Sequence, residues 1–374
     1  FTQYKHDPDN PNSLSSNAIA GIGEDRKGVL WVGTYFGLNK LNSEARRFTH
    51  YFHDRTNPHS LSHNLISTIY QDRKEIFWVA TYGSGLDTFD RETERFDNYR
   101  HNPDDPNSLS NNLLTVLYED QAGDLWVGTY AGGLNRFNRE TKTFIRYMHD
   151  PEEPGSLSDN LVASIHEDSA GTLWIGTQRG LDRFDRKRNF FVHYTIADGL
   201  PDANIWGILE DEQGRLWLST ANGLSRFDPK TERFRNYDMS DGLQHNTFFY
   251  FDAHEKSQRG EMFFGGANGF SAFFPNQIRD NPHVPPVFIS DFQLENKPVS
   301  IGADSVLKKS PLETNELELS YRDRVLSFEI AVLNYQAPGK NKIRYKLEGF
   351  EEQWNEVDIS RRFVTYTNLD PGDY

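Results

Sequence analysis

The chain has 374 residues, 36% of them hydrophobic and 25% charged, with 27 Phe, 17 Tyr, 7 Trp, 28 Gly and 17 Pro. No run of about 18 apolar residues is present, so no segment reads as a membrane-spanning helix. With no cysteine, disulfides, thiolate metal sites and cysteine nucleophiles are excluded, and a formal charge of −15 excludes sequence-independent binding to nucleic acid or anionic lipid.

Aromatic residues recur on a fixed period. VLWVGTYFGL at 29–38 returns as IFWVATYGSGL at 76–86, DLWVGTYAGGL at 124–134, TLWIGTQRGL at 172–181 and RLWLSTANGL at 215–224, with a diverged EMFFGGANGF at 261–270. The anchors Trp31, Trp78, Trp126, Trp174, Trp217 and Phe263 are spaced by 47, 48, 48, 43 and 46 residues, a period that suits a four-stranded propeller blade. Each unit carries four strand signals in one order. An apolar run ends in an acidic turn, as in NLISTIYQD at 64–72; the tryptophan strand follows, then a strand after a Gly break, then an F-x-x-Y segment such as Phe96 and Tyr99. A lone meander cannot bury both faces, so stacked blades bury the anchors between sheets, with the first strand and its small residues nearest the axis. The predicted fold is all-β: a propeller over 1–276, with blades near 1–52, 53–100, 101–147, 148–194, 195–237 and 238–274.

The sixth unit lacks an F-x-x-Y strand, whereas the chain opens with a spare one, Phe1 and Tyr4. Closure by pairing residues 1–5 beside 269–274 is the expectation; the rival is that they finish an upstream blade, in a ring of seven or more. A Pro-rich linker at 277–286 leads to a second unit at 287–374. There VFISDFQL, NELELSYRD, RVLSFEIAVLNY, IRYKLEGF and RFVTYTNL read as strands, with Leu326, Phe328, Ile330 and Val332 alternating cleanly. LDPGDY resembles a tyrosine corner, so this unit is expected to be an immunoglobulin-like sandwich, incomplete at Tyr374 and part of a longer protein.

The motif L-W-x-G-T-x-x-G-L after N-x-x-x-x-I-x-E-D-x-x-G resembles two-component regulator propeller repeats. YKLEGFEEQW at 345–354 and YTNLDPGDY at 366–374 resemble the small β-sandwich that follows such propellers, and EMFFGGANGFSAFFPNQI resembles their diverged last blade. The resemblance covers almost the whole chain. It implies the periplasmic or extracellular sensor region of an inner-membrane signalling protein, with a transmembrane helix soon after Tyr374. It further implies a homodimeric parent receptor whose output domain is a histidine kinase or, in other members, a diguanylate cyclase, and in many members a response to carbohydrates.

The recurring residues read as structure. His6, His53, His101 and His149 occur once per blade, too far apart around a ring for ligands at about 2 Å from one zinc ion, and are expected to bond within their own loops. DPDNPNS fails the calcium-loop pattern, since Asn12 and Ala18 fill the Gly and Glu places. Asp25, Asp72, Asp120, Asp168 and Asp211 repeat at the first turn, which is turn chemistry and not a pair of glycosidase carboxylates. No catalytic residue, metal or cofactor is expected.

The informative places are those where the repeat breaks. The fourth-to-first and second-to-third loops share one face, which gathers Tyr35, Tyr82, Tyr130, Gln178, Arg179, Asn222 and Asn268 as candidate ligand contacts. Tyrosine offers a stacking face and a hydroxyl, and Arg, Gln and Asn offer forked polar contacts. Trp206 fills the slot of Ala20, Ser67, Thr115 and Ala163 near the axis, where it plugs the channel, floors a pocket or merely packs. The function expected is ligand sensing, with an oligosaccharide or other small molecule as partner. A protein-interaction propeller of an envelope or secretion assembly is the alternative, and a polysaccharide-active enzyme the third reading.

Overall fold

The alternation of Gly turns with short aromatic and β-branched runs produces a series of antiparallel meanders. Blade one is β1 (Ile19–Glu24), β2 (Leu30–Thr34), β3 (Gly37–Asn42) and β4 (Arg47–Tyr51), and blade two is β5 (Ile66–Gln71), β6 (Phe77–Thr81), β7 (Leu86–Asp90) and β8 (Arg95–Tyr99). Blade three is β9 (Leu114–Glu119), β10 (Leu125–Thr129), β11 (Leu134–Asn138) and β12 (Thr143–Tyr147). Blade four is β13 (Val162–Glu167), β14 (Leu173–Thr177), β15 (Leu181–Asp185) and β16 (Phe190–Tyr194). Blade five is β17 (Ile205–Glu210), β18 (Leu216–Thr220), β19 (Gly223–Asp228) and β20 (Arg233–Tyr237). Blade six has three strands, β21 (His254–Lys256), β22 (Met262–Gly266) and β23 (Gly269–Phe273). The structure is a computed structural model that describes residues 2–248, 251, 253–279, 284–320, 322–334, 341–358 and 361–374. The chain divides into two compact units, Phe1–Ile278 and Arg279–Tyr374.

The first strands neighbour one another in order, β1 with β5, β5 with β9, β9 with β13, β13 with β17 and β17 with β21. In each full blade the first strand departs from regular pairing at one residue: Ala20, Ser67, Thr115, Ala163 and Trp206. Such a bulge bends the strand and aims one side chain out of the pleat. The five anchor tryptophans are at most 1% exposed, while Phe263 of blade six is only partly buried. Each tryptophan packs into the next blade. Trp126, for instance, shares a cluster with Val162, Ile165, Phe184 and Phe191. Trimming such a residue to Ala costs about 3–5 kcal/mol.

The turn aspartates have a further task. One carboxylate oxygen of Asp25 accepts the Val29 and Lys27 N–H groups, and the other accepts the Trp31 indole N–H at 3.0 Å. The indole bond recurs at Asp72, Asp120, Asp168 and Asp211, at 2.8 to 3.0 Å. Three of these carboxylates also take an arginine from the following blade: Arg91 on Asp25 at 2.6 Å, Arg139 on Asp72 at 2.6 Å and Arg186 on Asp120 at 2.8 Å. Burial alone would raise the Asp25 carboxyl. The Trp31, Val29 and Lys27 hydrogen bonds and the Arg91 charge outweigh it and hold the group below its usual range.

The loops before blades one to four are tied internally, as expected. His6, His53, His101 and His149 each bond through Nδ1 to the carbonyl eight residues on, at Leu14, Leu61, Leu109 and Leu157, at 2.6 to 2.8 Å. A second tie sits on the third strand, at Asn39, Asp87, Asn135, Asp182 and Ser225, all fully buried. Asn39 and Asn135 accept a loop N–H and donate back to the hydroxyl of the same residue, Ser15 or Ser110. Asp87 accepts from Ser62 N and Asn98 Nδ2.

The expected closing strand is not formed among the described residues, of which Phe1 is not one. There, residues 2–5 have no strand pairing and β23 pairs with β22 alone, while Tyr4 lies edge-on against Phe48 of β4 at 5.4 Å. The open edge of blade six borders a cavity of about 290 Å³ lined in part by Trp217, Tyr237, Phe270 and Phe273.

In the second unit, β24 (Val287–Leu294), β25 (Lys297–Pro298) and β26 (Val325–Val332) form one sheet with β29 (Phe363–Thr367), in the order β25-β24-β26-β29. A two-stranded sheet joins β27 (Lys342–Tyr345) and β28 (Asn355–Asp358). Ile330, Ile343, Val364 and Tyr366 form the core between them. The strand expected at NELELSYRD is absent among its described residues. Leu317 and Leu319 turn toward Phe292 and Leu326, but no neighbouring strand supplies a ladder. The Tyr374 hydroxyl donates to the Asp370 carbonyl at 2.8 Å, as a tyrosine corner requires.

Two outcomes are expected from these ties. Arg139→Met strands the buried carboxylates of Asp72 and Glu119 and should cost about 3 kcal/mol in urea melts, whereas Arg188→Met, whose side chain is 82% exposed, should cost nothing measurable. Burial pushes the Asp87 carboxyl up to about 6 from 3.8. As pH rises from about 4 to 6 the unfolded chain therefore loses this proton first, and stability falls. Asp87→Asn should remove that slope, so that the variant gains roughly 3 kcal/mol on the parent between pH 4 and pH 7. Parallel urea midpoints across pH would refute it.

Candidate functional site

A buried threonine builds the rim of each of the five full blades. The hydroxyls of Thr34, Thr81, Thr129, Thr177 and Thr220 donate to the carbonyls of Gly37, Gly85, Gly133, Gly180 and Gly223, at 2.8 to 3.0 Å. Each also accepts a backbone N–H from the turn, those of Phe36, Ser84, Gly132, Arg179 and Asn222. The turn must then double back tightly. At Gly85, with φ +87°, a Cβ would run into the Tyr99 carbonyl. The threonine thus presents the next two side chains outward, whatever their identity. Their backbone is held from the axial side as well: Tyr35, Tyr82 and Tyr130 donate their N–H to the carbonyls of Ala18, Leu65 and Leu113, at 2.9 to 3.0 Å.

The first presented place holds Tyr35, Tyr82, Tyr130, Gln178, Ala221 and Ala267, and the second holds Phe36, Gly83, Ala131, Arg179, Asn222 and Asn268. The rim is therefore aromatic on blades one to three and small or amide-bearing on blades five and six. Tyr82 and Tyr130 meet edge to face at 5.9 Å. Burial, then Tyr130 and then Tyr35, push the Tyr82 hydroxyl above its usual range. Tyr35 is 58% exposed and Tyr130 43%, which leaves ring faces open to solvent.

The remaining candidates divide. Gln178 is exposed, and Arg179 is 63% exposed with its guanidinium 3.5 Å from Asp159 and 3.4 Å from His149 Nε2. Asn222 turns back to donate to the Pro201 carbonyl at 3.3 Å, and the Asn268 carbonyl accepts the Gln244 amide. Neither of these two stands beside the tyrosines. Trp206 reaches toward the next blade, edge-on to Phe251 at 5.3 Å, much as Thr115 reaches the Val162 carbonyl at 2.5 Å. Its indole N–H is buried and has no partner among the described residues.

Sequence reading missed two neighbours. Phe36 and Phe52 pack at 5.6 Å and are 56% and 40% exposed, an apolar pair beside Tyr35. The signal was present, since Phe36 stands where blades two and three carry Gly83 and Ala131. His63, beside Gly83, accepts the Leu65 N–H at Nδ1, which leaves its proton on Nε2 at the rim.

Comparison with known proteins places this arrangement. Residues 13–36, 60–83, 108–131, 156–179 and 199–222 match the two component regulator propeller family, and 334–374 match the Y_Y_Y domain. Each repeat match ends on the second presented residue of its rim; blade six lies outside the matches. A solved structure, the extracellular domain of the hybrid two component system BT3049 from B. thetaiotaomicron, is 25% identical with a TM-score of 0.72, over 96% of this chain and 47% of that one. Histidine kinase P4 of Formosa agariphila is 32% identical over 114 residues, 30% of this chain and 8% of that protein. PorZ, a surface component of the type-IX secretion system of Porphyromonas gingivalis, shares the fold, at 12% identity and a TM-score of 0.55 over 96% of this chain and 52% of that one. This chain thus spans about half or less of each of these relatives. It is a run of two component regulator propeller repeats followed by a Y_Y_Y domain, homologous to extracellular domains of hybrid two component systems.

Proposed function

We propose that this chain is the extracytoplasmic ligand-sensing part of a membrane-bound signalling receptor, and that its ligand is an oligosaccharide held against the aromatic rim of blades one to three. The supporting observation is the group formed by Tyr35, Tyr82 and Tyr130 on consecutive blades, with open ring faces and a framework that does not depend on their identity. Sugar rings present apolar C–H faces and a belt of hydroxyls. Phenol rings suit the first and phenol hydroxyls the second. Arg179, shared with Asp159, adds a cation at the fourth blade for an acidic or hydroxyl-rich end. The segment itself performs no catalysis; a sensor histidine kinase, or a diguanylate cyclase, would supply the output across the membrane.

A ligand biases such a receptor only if it prefers one arrangement of the receptor over another. In this reading the parent is a homodimer, and ligand on the propeller rim shifts the placement of the two sandwich domains. Likeness to the extracellular domain of a hybrid two component system supports this reading over a scaffold.

Calorimetric titration of residues 1–374 with a panel of neutral and acidic oligosaccharides should yield at least one ligand. Tyr82→Ala and Tyr130→Ala should each weaken that ligand about three- to tenfold without shifting the melting temperature of the fold. A panel with no binder, or variants that bind as the parent does, would sink the carbohydrate reading.

A further inference from the structure

The rim carries a second series of side chains, one near the end of each loop that leads into a blade. Ser16, His63, Asn111 and Asp159 fill one place there. Each accepts the backbone N–H two residues on, from Ala18, Leu65, Leu113 and Leu161, at 2.7 to 3.1 Å. The turn needs one acceptor atom from each side chain, and four residue types supply it. The rest of the side chain is free of that duty.

Geometry sets these caps among the tyrosines. A Cβ on Gly83, the residue after Tyr82, would come within 3.1 Å of His63 Nε2, so that edge of the imidazole lies over the rim turn of blade two. Tyr82 donates its N–H to the Leu65 carbonyl at 3.0 Å and also bridges to Leu113 of the next blade, two residues past Asn111. The Leu113 carbonyl in turn accepts the Tyr130 N–H at 2.9 Å, and a Cβ on Gly132 would come within 2.8 Å of the Asn111 Cβ. Across blades two to four the rim therefore runs His63, Tyr82, Asn111, Tyr130, then Asp159 with Arg179.

The cap fixes what each remaining atom can do. His63 spends the Nδ1 lone pair on the Leu65 N–H, so its neutral ring can only donate at Nε2. Asn111 spends Oδ1 on the Leu113 N–H, so its Nδ2 is left with two hydrogens to give. Neither nitrogen has a partner among the described residues. Donors of fixed direction on both sides of a phenol favour a group that only accepts. A hydroxyl in that place has a hydrogen still to be accommodated, whereas a carboxylate has none and bonds more strongly to each donor. The charge of −15 opposes anions at long range, but physiological salt screens it over about 8 Å, so hydrogen bonds at contact decide.

We infer that the rim selects an acidic oligosaccharide: a uronate ring lies against Tyr82, and its carboxylate is held by the N–H groups of His63 and Asn111 on either side. This inference rests on the rim reading proposed above and adds to it the chemical class of the ligand.

Residues 1–374 are titrated with short oligosaccharides of galacturonate, glucuronate and mannuronate, with the carboxyl-reduced neutral counterpart of each, and with sulfated galactan oligosaccharides. At least one uronate should bind about tenfold or more tighter than its reduced counterpart. Asn111→Asp keeps the cap, as Asp159 does in blade four, so the melting temperature should hold while the free donor becomes an acceptor. Affinity for the uronate should then fall about thirtyfold or more, and affinity for the reduced counterpart by less than about threefold, since a hydroxyl can turn and donate. His63→Asn keeps the cap, as Asn111 does, but loses reach, and should cost the uronate about tenfold. A neutral or sulfated ligand preferred over every uronate would overturn the inference, as would an Asn111→Asp variant that binds the uronate as the parent does. Neutral ligands that bind best and weaken in Tyr82→Ala would leave the rim reading standing without this one. A panel with no binder would remove both.

Discussion

An indole N–H bonded to a carboxylate six residues earlier is the interaction on which the propeller depends. Alone, it settles a buried donor that would otherwise be unpaired, a debt of about 1–3 kcal/mol. It also orients the indole so that its face meets the next blade. The same carboxylate closes its own turn through backbone N–H groups, and at Asp25, Asp72 and Asp120 it receives the arginine of the blade that follows. Turn, core and blade junction thus share one charged group. Where a carboxylate carries three or four bonds of this kind, its negative charge is well compensated in spite of burial.

The junctions are not all alike. Blade five carries Pro229 in the place of the latch arginine, and among the described residues no lysine or arginine pairs with Asp168. Asp211 uses Arg215 from its own blade at 2.8 Å. The loops change at the same place. Long His-led loops precede blades two to four, whereas short capped turns at Ile196–Asp198 and Met239–Asp241 precede blades five and six. Blades one to four therefore form a latched series, and blades five and six attach through Ser169 and Lys256 on either side of Glu210 and through apolar packing. The aromatic rim lies wholly within the latched series.

Much of this was legible because one blade is written many times. Strand order, the tryptophan core, the axial place of the first strand and the shared loop face follow from comparing copies. What escaped was contact between residues far apart in sequence. The arginine on Asp72 lies 67 positions away, and no local pattern joins them. The spare F-x-x-Y at residues 1–4 was read as a closing strand because blade six lacked one; among its described residues, 2–4 take no strand partner, which no pattern along the chain foretells. NELELSYRD alternates as a strand should, yet alternation describes burial on one side and says nothing of a partner for the backbone. At the rim, the tyrosines were legible as departures from the repeat. The bond from the Asn222 side chain to the Pro201 carbonyl was not, since it depends on a neighbouring loop.

The rim shows how such a framework leaves side chains free to vary. Thr34, Thr81, Thr129, Thr177 and Thr220 hold the turn through their own hydroxyls, and the backbone N–H of each first presented tyrosine is tied to the preceding segment. Neither tie uses the presented side chains. Tyr, Gln and Ala alternate at one place, and Phe, Gly, Ala, Arg and Asn at the next, without altering the blade beneath. Residues free of any duty in the fold can be chosen for the solvent side alone. A ring of nearly identical sheets thereby acquires one aromatic side and one amide side. In the proposed reading, that asymmetry would give a ligand a defined direction across the face, which a receptor needs if binding is to favour one arrangement over another.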